Sequence, residues 1–146
     1  MLSGDHEHAL ADFTDAIRLD PTDPVPLHNR CFIHLMAAHY ELAQNDCDRA
    51  IVTSAYAKNT SRQRSFAFDT RGLLNWKHGR YSDAVSDYIE AISLEPAFAT
   101  SLYGRGLSEL KLGKVKEGNA DIKAAFASYP TVDKIFGTKE HISRVH

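Results

Sequence analysis

Small and apolar residues recur along this chain in helical stretches that are themselves repeated. The clearest sign is an aspartate followed four residues later by an alanine, and the copies are Asp12 and Ala16, Asp46 and Ala50, Asp87 and Ala91, and Asp121 and Ala125. Successive copies lie 34 residues apart, except for one interval of 41. A fixed period of this length indicates a stacked repeat protein, which offers an extended binding surface more readily than a closed catalytic pocket.

Two helices are predicted in each repeat. A turn residue divides the unit, at Gly4, Ala38, Gly79 and Gly113, and three of the four units close with a proline, at Pro21, Pro96 and Pro130. Glycine can adopt the positive φ that ends a helix, and proline cannot continue one. Small residues would let facing helices approach, while Phe13, Tyr88 and Ile122 would fill the spaces between units.

These features resemble the tetratricopeptide repeat family over residues 4–130. The residues that carry the resemblance are Cys31, Gly72, Gly106, Tyr81, Ala84, Tyr88, Ala91 and Pro96. The resemblance implies an all-α fold, a right-handed α-solenoid of stacked antiparallel helix pairs. It also implies that the first helix of each pair lines a concave groove.

The whole chain, residues 1–146, is interpreted as one domain. Its predicted parts are a half repeat at 4–23, a repeat at 24–57, an insertion at 58–64, repeats at 65–98 and 99–130, and a C-terminal cap at 131–146. The chain opens on a second helix that has no first helix, so we expect either a fragment or an edge that pairs with another copy. The apolar residues after Pro130, namely Val132, Ile135, Phe136, Ile142 and Val145, predict a cap on the last unit or a tail that folds into the groove.

The insertion allows two structures. Seven residues are close to two helical turns, so they would lengthen the adjoining helices without rotating their faces. The alternative is a solvated basic loop in which Arg62 and Arg64 would meet an acidic partner.

Two charged columns run through the repeats in register. Arg30, Arg71 and Arg105 each precede an aspartate by 16 residues, at Asp46, Asp87 and Asp121. A ladder for carboxylates or phosphates is one reading of the arginines, but a latch between the two helices of each unit explains both columns. The same spacing separates Cys31 from Cys47, for which we expect two buried thiols rather than a disulfide.

By the resemblance, the groove is lined by residues of the first helices. The predicted peptide-binding residues are His28, Asn29, Phe32, Phe66, Asp69, Thr70, Leu73, Trp76, Tyr103 and Leu107. Where the family usually has an aromatic residue, this chain has His34, Asn75 and Glu109, and apolar residues stand beside them. The alternative is that each first helix is rotated and these apolar residues are core, because spacing alone cannot separate a buried stripe from an exposed groove.

One known ligand class of the family is not predicted. Some members hold acidic chaperone tails with a clamp of asparagine, lysine and arginine, and Asn29 fits one of those positions. The matching residues of the next unit, Phe66 and Thr70, cannot hold a carboxylate.

Composition excludes little beyond this. The chain has a net charge of −2, so it lacks the basic surplus expected of a nucleic-acid-binding protein, and it has no apolar run long enough to cross a membrane. The histidines lack ligand spacing and no nucleophile with a base stands out, so no enzyme, metal or cofactor is predicted. The compartment is undetermined, with the cytoplasm as the default and an exported form compatible with a truncated N-terminus.

The sequence therefore predicts a noncatalytic protein–protein interaction module that binds a peptide or helix of a partner in the concave groove. One alternative is a scaffold that self-associates through its open N-terminal edge. A metal-binding or enzymatic protein is the third.

Overall fold

The computed structural model describes residues 3–58, 60–96 and 98–136. These residues form seven α-helices, with bounds α1 Gly4–Leu19, α2 Pro24–Met36, α3 Tyr40–Tyr56, α4 Ser61–Lys77, α5 Tyr81–Leu94, α6 Ala99–Lys111 and α7 Val115–Ser128. A short 3-10 helix, Val132–Phe136, follows and is called the C-terminal segment below.

The helices pack as successive pairs. Helix α2 packs on α3, α4 on α5, and α6 on α7, while α1 packs on α2, α3 on α4, and α5 on α6. The first helices of the pairs, α2, α4 and α6, also contact one another in order. This layered arrangement confirms the predicted all-α solenoid of stacked helix pairs.

Local sequence explains where the helices begin and turn. Asp23 caps α2 by accepting a hydrogen bond from the backbone N–H of Val25, and Pro24 occupies the first turn. The turn inside each full pair passes through a residue of positive φ, which is Ala38 at 61°, Gly79 at 73° and Gly113 at 81°. The turn residues predicted from the sequence therefore close the first helix of each pair, with alanine doing so once where glycine is usual.

Within each pair, one contact is made in three chemical forms. A Cβ atom at Gly72 would lie within 3.0 Å of the Tyr88 ring, and one at Gly106 would lie 2.7 Å from Ile122. The corresponding residues of the first full pair are Cys31 and Cys47, which are joined by a disulfide with their Cα atoms 5.4 Å apart. The expectation of two thiols is wrong, because this close approach of α2 and α3 brings two cysteines, rather than a glycine and a large side chain, face to face.

The insertion is built into helices. Helices α3 and α4 have 17 residues each, whereas α5 has 14 and α6 has 13. In the repeat register, α3 is three residues longer than α5 and α4 is four longer than α6, which accounts for the extra seven. Arg62 and Arg64 accordingly lie in α4, where Arg64 donates to the carbonyl of Ile51 at 2.7 Å, so the interpretation as a basic loop is wrong.

Candidate functional site

The arginine and aspartate columns form three internal latches. Each guanidinium donates to both carboxylate oxygens of the aspartate on its partner helix, and the shorter bond is 2.7 Å for Arg30 with Asp46, 2.7 Å for Arg71 with Asp87 and 2.6 Å for Arg105 with Asp121. This confirms the latch predicted from the spacing of 16 residues. The bidentate geometry is the strong form of a guanidinium–carboxylate pair, and it occupies the donors that a phosphate ladder would need.

A third residue approaches the aspartate in every latch. It is His34, whose Nε2 lies 3.9 Å from Asp46, Asn75, which donates to Asp87 at 2.8 Å, and Glu109 beside Asp121. These are the residues that stand where the family usually has an aromatic side chain. Burial, followed by the charge of Asp121, raises the pKa of Glu109 to about 7. Burial also raises the pKa of Asp87, although Arg71 opposes that shift, and burial lowers the pKa of His34.

The middle latch extends into a polar ring that borders an open cleft of about 880 Å³. Asp48, on the preceding pair, accepts from Arg71 at 3.0 Å and from Gln44 at 2.9 Å. Arg80 donates to Asn75 at 2.8 Å and lies 3.5 Å from Gln44, which closes the ring. The ring ties α3, α4 and α5 together, so these polar groups already have partners inside the protein.

The predicted peptide-binding residues lie on one face of α2, α4 and α6, called the first-helix face below. Their exposure differs along it. Phe32 is 43% exposed, and the residues in the same register on the next two first helices, Leu73 and Leu107, are 7% and 4% exposed. Thr70 and Tyr103 are buried, whereas His28, Asn29, Phe66, Asp69 and Trp76 are partly exposed. The face is therefore open at α2 and closed over α4 and α6.

An aromatic cluster occupies the open end of this face. The His28 ring stacks on Phe66 at 5.9 Å, Phe98 meets Phe66 edge-on at 5.3 Å, and the guanidinium of Arg62 lies 5.4 Å above Phe66. His28 Nε2 is 3.0 Å from the Thr70 hydroxyl. Burial lowers the pKa of His28 to about 4, so its ring is neutral at pH 7.

Asp69 is the acidic group of the face. Its Oδ1 accepts hydrogen bonds from the hydroxyls of Ser101 at 2.6 Å and Thr100 at 3.1 Å, both on α6. Burial raises its pKa to about 6 although these hydroxyls oppose the shift. Asp69 thus links α4 to α6 and is used, at least in part, inside the protein.

The closed end of the face is covered by the C-terminal segment. The ring of Phe136 contacts Trp76 of α4 at 5.9 Å and Tyr103 of α6 at 5.1 Å, both edge-to-face. Val132 is fully buried and Phe136 is 6% exposed. The described segment both caps α6 and reaches the first-helix face, which combines the two predicted alternatives. Ile142 and Val145 lie outside the described residues.

Sequence analysis missed several contributors to this face. Phe98, Thr100 and Ser101 were not proposed, although they stand at the start of a first helix and meet the preceding first helix. The signal was available in the repeat register, because Phe98 lies four residues before Leu102 as Arg64 lies four before Phe68.

Metal and membrane sites were also examined. In residues 3–58, 60–96 and 98–136, no group of three or more histidine, cysteine, aspartate or glutamate side chains is placed to hold a metal ion. No helix in the same ranges combines the length and apolar character needed to cross a membrane.

Comparison with known proteins shows the family. Residues 70–131 match the model of the tetratricopeptide repeat family. The RNA polymerase II-associated protein 3 of Rattus norvegicus and that of Mus musculus are 28% and 29% identical to this chain over 93 residues, which is 64% of this chain. That stretch is only 13% of each relative's length, so the chain corresponds to a small part of those proteins.

Solved structures agree with the fold. Two crystal structures of MamA superpose with TM-scores of 0.70 and 0.72 at 22% identity, covering 90% of this chain and 68% and 72% of theirs. A likeness at this identity bears on the fold alone. A protein–protein interaction module is the function class that the repeat family and the fold support. With its Arg–Asp latches, small-residue contacts and stacked helix pairs, the chain belongs to the tetratricopeptide repeat family.

Proposed function

We propose that this chain binds a peptide segment of a partner protein on its first-helix face, beginning at the open end around Phe32. The observation that carries the proposal is the 43% exposure of Phe32 beside the partly exposed His28 and Phe66. Aromatic side chains held by neighbours lose little conformational freedom on binding and supply much of the energy of protein interfaces.

The chemistry of the open end favours an apolar guest. His28 is neutral at pH 7, and the Arg62 guanidinium lies over the Phe66 ring. The arginines of the latches are held by aspartates, so they leave no clamp for a carboxylate. An apolar extended peptide or one face of an amphipathic helix matches these groups.

The test begins with peptides selected from a random display library on the immobilised chain. Their dissociation constants are then measured by calorimetry against the wild type, Phe32→Asp and Val52→Asp. Val52 is 60% exposed on α3, a second helix, and is the matched control. Phe32→Asp should weaken binding about tenfold or more, as loss of an interface anchor does, and Val52→Asp should not.

Leu73→Asp is a poorer probe of this surface. Leu73 is 7% exposed, so a charge there would disturb folding as well as binding. Equal affinities of the wild type and Phe32→Asp for every selected peptide would place the binding surface elsewhere.

A second candidate function is self-association through α1. Ala9, Phe13 and Ala16 of α1 are partly exposed, whereas the residues in the same register on α3, α5 and α7 are buried. An apolar helix face left uncovered in this way is suited to a second copy. Light scattering across a concentration series tests this, because an unchanging monomer mass would rule it out, and Phe13→Lys should shift any dimer toward monomer.

A further inference from the structure

The closed end of the first-helix face owes its closure to the chain itself. Leu73, Tyr103 and Leu107 belong to one apolar cluster with Val132 and Phe136 of the C-terminal segment. Tyr103 is 1% exposed, whereas the residues in the same register on the earlier first helices, His28 and Asp69, are partly exposed. The segment is therefore placed where a guest peptide would lie on the open half.

Phe136 acts as the anchor of this placement. Its ring meets Trp76 from one unit and Tyr103 from the next, so one side chain bridges two successive first helices. A single aromatic ring seated between two others in edge-to-face geometry is the kind of contact that peptide ligands make with aromatic-lined grooves.

The segment is held by few elements. Its backbone is a 3-10 helix of five residues, a form with poor intrinsic stability, and α6 is the helix against which it packs. Helices α1 to α7 form their pairs without it. Displacing the segment therefore exposes Trp76 and Tyr103 without separating any helix pair.

Trp76 also has an unmet hydrogen-bonding need. Its Nε1 is buried and has no acceptor among the described residues. A buried indole N–H without an acceptor is unfavourable, and a guest backbone could supply the missing carbonyl oxygen.

We propose that the C-terminal segment is a replaceable occupant of the first-helix face, and that the guest of this half is a peptide that presents an aromatic side chain to Trp76 and Tyr103 and a carbonyl oxygen to Trp76 Nε1. This inference rests on the proposed function, to which it adds the chemistry of the guest and its regulation. Binding of such a guest competes with Phe136.

The test uses Trp76, the single tryptophan of the chain, as its own reporter. In the full chain, Phe136→Ala should shift Trp76 emission to longer wavelength and increase its quenching by acrylamide. Tyr129→Ala is the matched control, because Tyr129 is 48% exposed and lies close in the chain to the C-terminal segment. Its emission and quenching should equal those of the wild type.

The second arm adds a blocked synthetic peptide with the sequence of residues 131–136. It should restore shielding of Trp76 in Phe136→Ala with saturation, while the same peptide with alanine at the phenylalanine position should not. The wild type should need about ten times more peptide or higher, because its own segment competes at high effective concentration.

Each contrary result overturns the inference. Unchanged Trp76 emission in a folded Phe136→Ala chain would show that the segment does not cover it, and equal peptide binding by wild type and variant would show that there is no competition. No peptide binding by the variant would show that the site is not replaceable. Phe136→Leu, which keeps apolar bulk, carries the same comparison if Phe136→Ala loses its helical circular dichroism, and loss of helix in both would make Phe136 an indispensable core residue.

The outcome can be separated from that of the proposed function. Peptides that lose affinity with Phe32→Asp but are indifferent to Phe136→Ala, together with unchanged Trp76 emission, would remove this inference alone. Trp76 shielding by the synthetic peptide without any effect of Phe32→Asp would remove the open-end proposal and leave this one.

Discussion

Arg71 on α4 donates to both carboxylate oxygens of Asp87 on α5, through Nε at 3.0 Å and Nη2 at 2.7 Å. The remaining terminal nitrogen donates to Asp48 on the preceding pair. One guanidinium therefore joins the two helices of its own unit and the second helix of the unit before. The carboxylate of Asp87 is nearly buried, with 6% of its side chain exposed, so its pairing matters more than that of a surface ion pair.

A double-mutant cycle on Arg71→Gln and Asp87→Asn should give an interaction energy of about 1–3 kcal/mol, because each single change leaves a partly buried charge without its partner. Urea unfolding of the four proteins provides the measurement. The pair of Arg71 with Asp48, whose side chain is 48% exposed, is the internal control and should couple by less than about 1 kcal/mol. Additive effects of Arg71→Gln and Asp87→Asn would remove the latch as a source of stability.

The Cys31–Cys47 disulfide should stabilise the first full pair. It closes a loop with a sequence separation of 16 residues, for which loop entropy predicts about 3 kcal/mol. A reducing agent should lower the thermal midpoint of the wild type and leave Cys31→Ala/Cys47→Ala unchanged. Alkylation of the unreduced, denatured wild type should modify no thiol. Two modified cysteines would show that the protein as isolated contains thiols instead.

Sequence register predicted those features that repeat. The latches followed from arginines and aspartates 16 residues apart, because a helix pair places such residues opposite each other whenever the turn length is constant. The disulfide has the same spacing but occurs once, and a spacing cannot show whether two sulfur atoms meet with bonding geometry. The position of Phe136 was still less accessible, since contact with Trp76 crosses two units and depends on how the chain turns after Pro130.

The candidate site was predicted by position more than by environment. All ten proposed residues lie on α2, α4 and α6, as the resemblance implied. Their exposure was not readable from the sequence, because Phe32, Leu73 and Leu107 are equally apolar and share one register while the neighbours that cover them differ. Whether these residues bind a peptide stays a prediction.

His28 should make stability fall in acid. Its folded pKa of about 4 lies below the ordinary value of 6.5, so the unfolded chain binds the proton more tightly. The contribution of this group is fully present above pH 6.5 and is lost as the pH falls toward 4. Relative to His28→Gln, the wild type should lose about 1–3 kcal/mol over this window, measured by urea unfolding at a series of pH values.

Asp69 should act in the opposite direction over nearly the same window. Its folded pKa of about 6 lies above the ordinary 3.8, so the folded protein binds the proton more tightly, and the contribution present below pH 3.8 is lost as the pH rises through 6. Asp69→Asn keeps the Oδ1 that accepts from Ser101 and Thr100. At pH 7 it should therefore unfold at higher urea than the wild type, with the difference vanishing near pH 4.

The two groups are informative together. Because His28 and Asp69 have opposite slopes, the wild type should show a flatter profile between pH 4 and 6 than either variant. A variant pair with slopes of the same sign would show that at least one of these side chains is solvated in the folded protein.

Glu109 offers the sharpest comparison between units, because Asn75 holds the same place in the preceding one. Asn75 donates a hydrogen bond to Asp87, whereas Glu109 must hold a proton to do the same for Asp121. The folded pKa of about 7 exceeds the ordinary 4.5, so the stabilising contribution of this contact is complete below pH 4.5 and is lost as the pH rises through 7.

Glu109→Gln supplies a permanent donor and should raise the free energy of unfolding by about 1–3 kcal/mol at pH 8, with little change at pH 4.5. Asn75→Asp is the reciprocal variant: it places a second carboxyl against Asp87 and should lower stability at pH 8 more than at pH 4.5. Urea unfolding at the two pH values measures both. If Glu109→Gln shifts stability equally at pH 4.5 and pH 8, the protonation of Glu109 is not what the latch of the last unit depends on.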